Sequence, residues 1–359
     1  MMMKMSITNT LLEKDFIVQG KFKERKVKCG YCGKWCNISV VPHVRMEHPD
    51  IWKSWQRSFV ELRNQGLTPR QIMMKYNMLF SWTIIEKEIQ MLMEQNPSLI
   101  KVNPVKEIKE WRPRNFRLER TSVWRFPKRG DWAVHTSEYR GNWAPQVPRN
   151  LILKYSKRGD TILDPFVGGG TTLIECYLEG RNGIGVDINP VAVAIAKQRI
   201  VDLENAARLN SDFKLPKVKI NIIHGDAREL GFIETESIDL VCAHPPYANA
   251  MKYTQNQKKD LSHIDSIEMF CKEMGKVAKE LFRVLKKKKK CGVLIGDIRK
   301  NGTFIPLEYK VMSEFVNVGF TLSERIIKEQ FNDKSTTFFP KLNHGRHLIA
   351  HEYLLIFEK

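Results

Sequence analysis

Two short segments of this 359-residue chain carry residues whose types and spacing could do chemistry: Asp164-Pro-Phe-Val-Gly-Gly-Gly-Thr-Thr172 and His244-Pro-Pro-Tyr247. Consecutive glycines let a backbone approach a ligand closely. Paired prolines stiffen a loop, so that its carbonyls become fixed acceptors that need no titration. Tyr247 offers a flat face for stacking, and a neutral His244 offers one acceptor nitrogen. Each segment follows an apolar run that reads as a buried strand, Thr161-Ile-Leu163 and Ile238-Asp-Leu-Val-Cys-Ala243. In open α/β sheets, ligands lie beyond the carboxyl ends of the strands, where strand order reverses. Two loops at that edge would hold two reactants side by side, a cofactor and a flat polar group.

Other strand ends carry acids. Gly183-Ile-Gly-Val-Asp187 ends in a carboxylate suited to ribose hydroxyls, followed by Asn189-Pro190 and a helix. Asn221-Ile-Ile-His-Gly-Asp226 puts a second acid at a third strand end, with a helix-capping Asp as the competing reading. Thr171 starts a helix that runs through Glu179 and stops at Gly180. The glycine loop has neither the Gly-Lys-Ser/Thr of phosphate-binding loops nor the Gly-x-Gly-x-x-Gly of dinucleotide binders.

These segments resemble the S-adenosylmethionine-dependent DNA amino-methyltransferases, which methylate cytosine N4 or adenine N6. That family's cofactor loop reads Asp-Pro-Phe-x-Gly-x-Gly-Thr-Thr. It is matched by Asp164, Pro165, Phe166, Gly168, Gly170, Thr171 and Thr172. Its catalytic loop reads Asp, Asn or Ser, then Pro-Pro and an aromatic. Pro245, Pro246 and Tyr247 match, while His244 stands in the first place. The likeness covers residues 131–359.

The resemblance implies an α/β fold: a mostly parallel, seven-stranded, Rossmann-like sheet with helices on both faces. It would close with a hairpin-like pair near Phe320–Gln330 and His351–Phe357. It also implies that the glycine loop wraps the methionine part of S-adenosylmethionine, with Asp164 facing the ammonium group and Asp226 near the adenine amine. Gly141-Asn-Trp-Ala-Pro-Gln-Val-Pro148 falls where the family has a segment closing over the methionine, although Trp143 and Pro145 could equally pack on the core.

A base amine is a poor nucleophile because its lone pair is delocalised into the ring. Acceptors for its two N–H groups draw the nitrogen toward tetrahedral geometry and aim the lone pair at the methyl. Such a base must leave the duplex stack, and positioning supplies most of the rate. Cys242 then has no catalytic task. The adenine enzymes favour Asp or Asn at the His244 position and the cytosine enzymes Ser. The missing acid or amide favours cytosine N4, with adenine N6 as the alternative. A site-specific enzyme of a restriction–modification system, acting on double-stranded DNA beside a cognate restriction endonuclease, is the leading expectation. An RNA base-amine methyltransferase and a non-catalytic DNA-binding regulator are the others. Candidates for reading DNA sequence are Ala248–His263 and Phe331–His347; Lys286 to Lys290 reads as a solvated loop or a phosphate contact.

The elements upstream are of another kind. Cys29 and Cys32 have the two-residue gap that lets both thiolates reach one zinc, and His43 and His48 lie at finger-like spacing. Four such ligands make a structural site. Cys36 is a rival ligand, and a small reduced cysteine cluster is the alternative. Trp52–Asn64, a helix opened by Thr68-Pro-Arg-Gln71, and a helix capped by Ser81 form a helix-turn-helix-like pattern, with Arg70, Lys75 and Lys87 as DNA contacts. Small three-helix domains without a DNA role share it. The expected organisation is a tail (1–25), a zinc module (26–50), a helical module (51–96), a proline-rich linker or docked arm (97–130) and the methyltransferase domain (131–359).

The net charge of +19 makes a polyanion a natural partner, unless it reflects only a lysine-rich proteome. Seven cysteines, three of them within eight residues, do not form a secreted disulfide framework. No apolar stretch reaches the roughly 20 residues of a membrane span, and Met1-Met-Met-Lys-Met5 is a poor signal peptide. No membrane partner and a cytoplasmic location are expected.

Overall fold

The computed structural model describes residues 16–19, 26–37, 40–76, 80–99, 108–137, 139, 141–210, 212–248, 253–255, 257, 259–331 and 347–359. The chain divides into two compact units, Met1–Asn103 and Pro104–Lys359. No helix among the described residues is long and apolar enough to cross a membrane.

The first unit opens with an antiparallel sheet of β1 (Ile17–Gln19), β2 (Lys26–Lys28) and β3 (Trp35–Asn37). Helices α1 (Val41–Glu47), α2 (Pro49–Asn64), α3 (Pro69–Lys75) and α4 (Trp82–Gln95) follow. The capping box forms: Gln71 N–H donates to Thr68 Oγ1 at 3.3 Å, and Thr68 N–H donates to Gln71 Oε1 at 2.8 Å. Ser81 Oγ likewise accepts from Ile84 N–H at 3.3 Å. The strands and helices share one apolar cluster, in which Val27 and Cys29 pack with Trp52, Trp55 and Phe59. The segments 26–50 and 51–96 are therefore parts of one body.

In the second unit, β4 (Val123–Trp124) and α5 (Gln146–Tyr155) precede the strand–helix alternation. This runs β5 (Thr161–Asp164), α6 (Thr171–Glu179), β6 (Asn182–Asp187), α7 (Pro190–Leu209), β7 (Ile220–His224) and β8 (Ile238–Ala243). After α8 (Ile267–Val284) come β9 (Leu285–Ile295), the small hairpin β10 (Ile298–Lys300) and β11 (Thr303–Ile305), α9 (Leu307–Val318), β12 (Thr321–Glu329) and β13 (His351–Glu358). The main sheet has the order β4-β12-β13-β9-β8-β5-β6-β7. Its strands from β9 to β7 are parallel, and β13 runs antiparallel between β9 and β12. The expected closing pair is present. Among the described residues the sheet has eight strands rather than seven, because the two-residue β4 adds parallel to β12.

All six residues of β8 are buried, as a central parallel strand requires. From β5 the chain builds outward through β6 and β7, then returns to lay β8 on the other side of β5. The order thus reverses between β5 and β8, where Leu163 pairs with Val241. Both chemistry-bearing loops leave that point.

Lys286 to Lys290 belong to β9 and not to a loop. Lys286 and Lys289 pair with Asp239 at 2.9 and 3.2 Å, and Lys290 pairs with Glu358 at 2.5 Å. This end of β9 pairs beside the start of β8, so it lies at the sheet edge opposite the two loops. Residues 108–130, most of the segment 97–130 expected as a linker or docked arm, pack within the second unit. Trp111 stacks on Phe213 with ring centroids 4.3 Å apart, and Arg149 caps the Phe116 ring at 4.9 Å. Behind them, buried Glu175 accepts 2.7 Å hydrogen bonds from Trp132 Nε1 and Arg149 Nη1.

Candidate active site

The glycine loop is shaped by its own first residue. Asp164 is 2% exposed. Its Oδ1 accepts from Phe166 N–H at 3.0 Å, and its Oδ2 accepts from the Thr172 hydroxyl. Burial pushes its carboxyl up to about 7. Both of these bonds are internal to the loop, and Asp164 stands behind the residues that line the cavity in front of it. Thr171 is buried in the first turn of α6, and Gly170 precedes it in the left-handed region at φ +84°.

The middle of the loop is held from both sides. Gly168 N–H donates to Asp187 Oδ2 at 2.9 Å, and Gly169 N–H donates to Asn142 Oδ1 at 3.1 Å. A Cβ on Gly169 would lie 2.7 Å from Asn142 Nδ2, so this close approach needs glycine. Through Asn142, the upstream segment touches the glycine loop. Asp187 also accepts from Asn189 N–H at 2.9 Å, and burial pushes its carboxyl up to about 6. Asp226 is gripped by Arg228, whose Nε and Nη2 lie 2.9 and 2.6 Å from its two oxygens. Burial raises this carboxyl, but the Arg228 bonds outweigh it and hold the group below its ordinary range.

A cavity of about 740 Å³ lies before these groups. Of the expected residues, Pro165, Phe166, Gly168, Asp187, Asp226, His244 and Pro246 line it. Tyr139 lines it without having been anticipated, together with Asn142 of the upstream segment and with Tyr253, Lys259 and Asp260 of the segment expected to read DNA. A second, wider cavity of about 1630 Å³ is lined by Pro245, Tyr247, Arg129, Lys328 and Glu352. The two share Gly141, Asn142, Trp143, His244 and Tyr253 as a common wall.

His244 stands in that wall, its imidazole nearly parallel to the Trp143 ring at 5.5 Å. Its Nε2 is 3.1 Å from Tyr247 Oη. Tyr247 Oη in turn donates to Glu352 Oε1 at 2.7 Å, and Lys328 Nζ donates to Glu352 Oε2 at 2.8 Å. Burial pushes the imidazole down to about 4, so it is neutral near pH 7. Burial works against the Glu352 charge, but Lys328, helped by the Tyr247 hydrogen bond, more than offsets it and keeps the carboxyl below its ordinary range. Arg129 pins the wall by donating to the carbonyls of Asn142 and Trp143 at 3.1 and 2.7 Å.

Away from this site, Cys29, Cys32, His43 and His48 come together with one ligating atom from each within 4.8 Å of the others. Arg70, Lys75 and Lys87 are exposed. Of the candidate DNA-reading segments, residues 332–346 and 249–252 lie outside the described residues.

The sequence profile of a family described as DNA methylase matches residues 68–198 and 238–359. A second profile, described as RMKL-like, methyltransferase domain, matches residues 151–291. The Type II methyltransferase M.MjaII of Methanocaldococcus jannaschii is 40% identical over 62 residues, which are 17% of this chain and 12% of that protein. The Type II methyltransferase M.HpaI of Haemophilus parainfluenzae is 48% identical over 50 residues, 14% of this chain and 16% of that one. The similarity thus spans less than a fifth of either relative. A solved SAM-dependent methyltransferase from Methanosarcina mazei is 18% identical, with 58% of this chain and 96% of that chain covered and a TM-score of 0.38.

Proposed function

This chain belongs to the DNA methylase family, and from that premise we propose that it moves a methyl group from S-adenosylmethionine to an exocyclic base amine in double-stranded DNA. The observation that carries this reading is the wall shared by the two cavities, with His244 in it. One chamber suits the donor. In a chain of net charge +19, the three carboxylates of Asp187, Asp226 and Asp260 outnumber the one cation, Lys259, in its lining, a balance that favours a cationic ligand. Phe166, Ile188, Ala227 and Leu261 supply apolar faces for a purine. S-adenosylmethionine supplies an electrophilic methyl group when bound.

The protein's own part is to bind and orient. Asp187, already fixed by two backbone N–H groups, keeps lone pairs for ribose hydroxyls. Pro245 and Pro246 stiffen the loop, and Tyr247 lines the chamber that takes a flipped base. His244, too weak a base to keep a proton near pH 7, acts as an acceptor for the amine N–H.

Cytosine N4 is the proposed target, because the position of the family's acid or amide holds an imidazole. The Type II naming of the relatives supports a protective role beside a restriction endonuclease. The test is to incubate the chain with labelled donor and duplex DNA, then analyse the nucleosides by mass spectrometry. N4-methylcytosine is expected. N6-methyladenine would replace the base assignment. Label in tRNA or rRNA but not in DNA, or DNA binding without any transfer, would overturn the reading.

A further inference from the structure

The first unit holds four metal-ligating side chains for which methyl transfer has no use. Cys29 and Cys32 sit on the tight turn after β2, closed by Cys29 N–H donating to the Lys34 carbonyl at 2.8 Å and Gly33 N–H to the Cys29 carbonyl at 2.9 Å. Gly33 adopts φ +76°, which suits glycine. His43 lies in α1, and His48 is the single residue between α1 and α2. Cys32 Sγ is 3.1 Å from His43 Nε2. Independently, His48 Nε2 is buried with no hydrogen-bond partner among the described residues. A buried polar atom in that state is costly unless something satisfies it.

We propose that this chain binds one zinc ion through the thiolates of Cys29 and Cys32 and the imidazoles of His43 and His48. Two sulfurs and two nitrogens form a donor set of tetrahedral structural zinc. Bonds of about 2.0–2.3 Å give tetrahedral edges of roughly 3.3–3.8 Å, so the atoms, all within 4.8 Å of one another, need draw in by only about an ångström. Cys36 is outside the group. With four protein ligands the ion has no open position, and its role is to tie the cysteine turn to the α1–α2 junction.

The test uses the full chain purified without chelator. Elemental analysis is expected to find one zinc per chain, and X-ray absorption at the zinc edge two sulfur and two nitrogen neighbours. Cys32→Ser should weaken metal retention by at least about 100-fold against a competing chelator. A chain that holds no zinc when zinc is supplied, or an ion with three sulfur neighbours, overturns the proposal.

A second inference rests on the methyl-transfer reading and comes from the second cavity. Tyr247 Oη has one proton, and it is donated to Glu352, whose charge Lys328 secures. The contact between His244 Nε2 and Tyr247 Oη must then be one in which Nε2–H donates. A neutral imidazole has a single N–H, so Nδ1 retains its lone pair. We infer that Glu352, acting through Tyr247, is a positioning residue that makes His244 Nδ1 the acceptor for the target amine.

Ring nitrogen-15 NMR of the full chain, with His244 assigned by comparison with His244→Asn, should show the Nε2–H tautomer. In Glu352→Gln the Tyr247 proton is free to turn toward Nε2. The tautomer should shift, and kcat should fall about tenfold or more with KM for the donor unchanged. Asn has no tautomer, so Glu352→Gln should cost nothing further in the His244→Asn background. An Nδ1–H tautomer in the parent, or equal losses in both backgrounds, overturns the inference. A parent that methylates no DNA defeats the underlying reading instead, and the NMR result still stands or falls alone.

Discussion

Asp164 binds its proton more tightly in the folded chain than out of it, about 7 against an ordinary value near 3.9. The stability this contributes is complete below about pH 4 and is lost as pH rises through 7, since the folded form then gives up a proton that the unfolded form had already released. Asp164→Asn keeps an oxygen for Phe166 N–H and has no charge to bury. Its melting temperature relative to the parent should therefore climb between about pH 5 and 8 by calorimetry, and a level difference would contradict this assignment. Gly169→Ala should drive Asn142 and Tyr139 away from the loop, because the new Cβ would sit 2.7 and 2.9 Å from their atoms. Overpacking of this kind costs about 1–3 kcal/mol, so titration calorimetry should find donor binding roughly tenfold weaker. At this scale the sequence was readable where chemistry is contiguous: residues 164–172 and 244–247 stand where the reading placed them, beside one another. Arg129, Lys328 and Glu352 were not readable. Each is a single polar residue with no local pattern, and Glu352 meets Tyr247 from 105 positions away.

Elements were legible to the extent that a local pattern defines them. The caps at Thr68 and Ser81, the buried run of β8 and the closing pair β12–β13 all carry such a pattern. Helix α1 was missed because seven residues with a proline in the first turn show too little periodicity. Strand β4 has two residues, and only its pairing with β12 makes it a strand. The lysine run misled because charge density resembles a solvated loop, whereas Asp239, Asp160 and Glu358 draw the lysines into β9. Removing Lys286 and Lys289 together by alanine substitution leaves Asp239, with 9% of its side chain exposed, without its lysine partners. A loss of about 1–3 kcal/mol in urea unfolding is expected. DNA affinity should stay unchanged, because this edge of the sheet faces away from the two loops.

As a whole, the molecule joins a basic chain to a chamber lined by Asp187, Asp226 and Asp260, so under the proposed methyl transfer DNA and donor would be drawn by opposite fields. DNA affinity should fall steeply with salt, with a logarithmic slope of about 0.9 per phosphate engaged. If α3 and α4 lie on the duplex, Arg70→Ala and Lys87→Ala should each reduce that slope by about 1 in fluorescence anisotropy titrations. Unchanged slopes would assign the helices a purely architectural part. The proposed donor and base chambers adjoin, with His244 and Trp143 among the residues that line both. A single synthetic molecule could therefore occupy both, a nucleoside fused to a nucleobase by a very short tether. Its affinity would approach the product of the separate affinities multiplied by an effective concentration, which makes such bisubstrate conjugates the natural starting point for inhibitors of this protein.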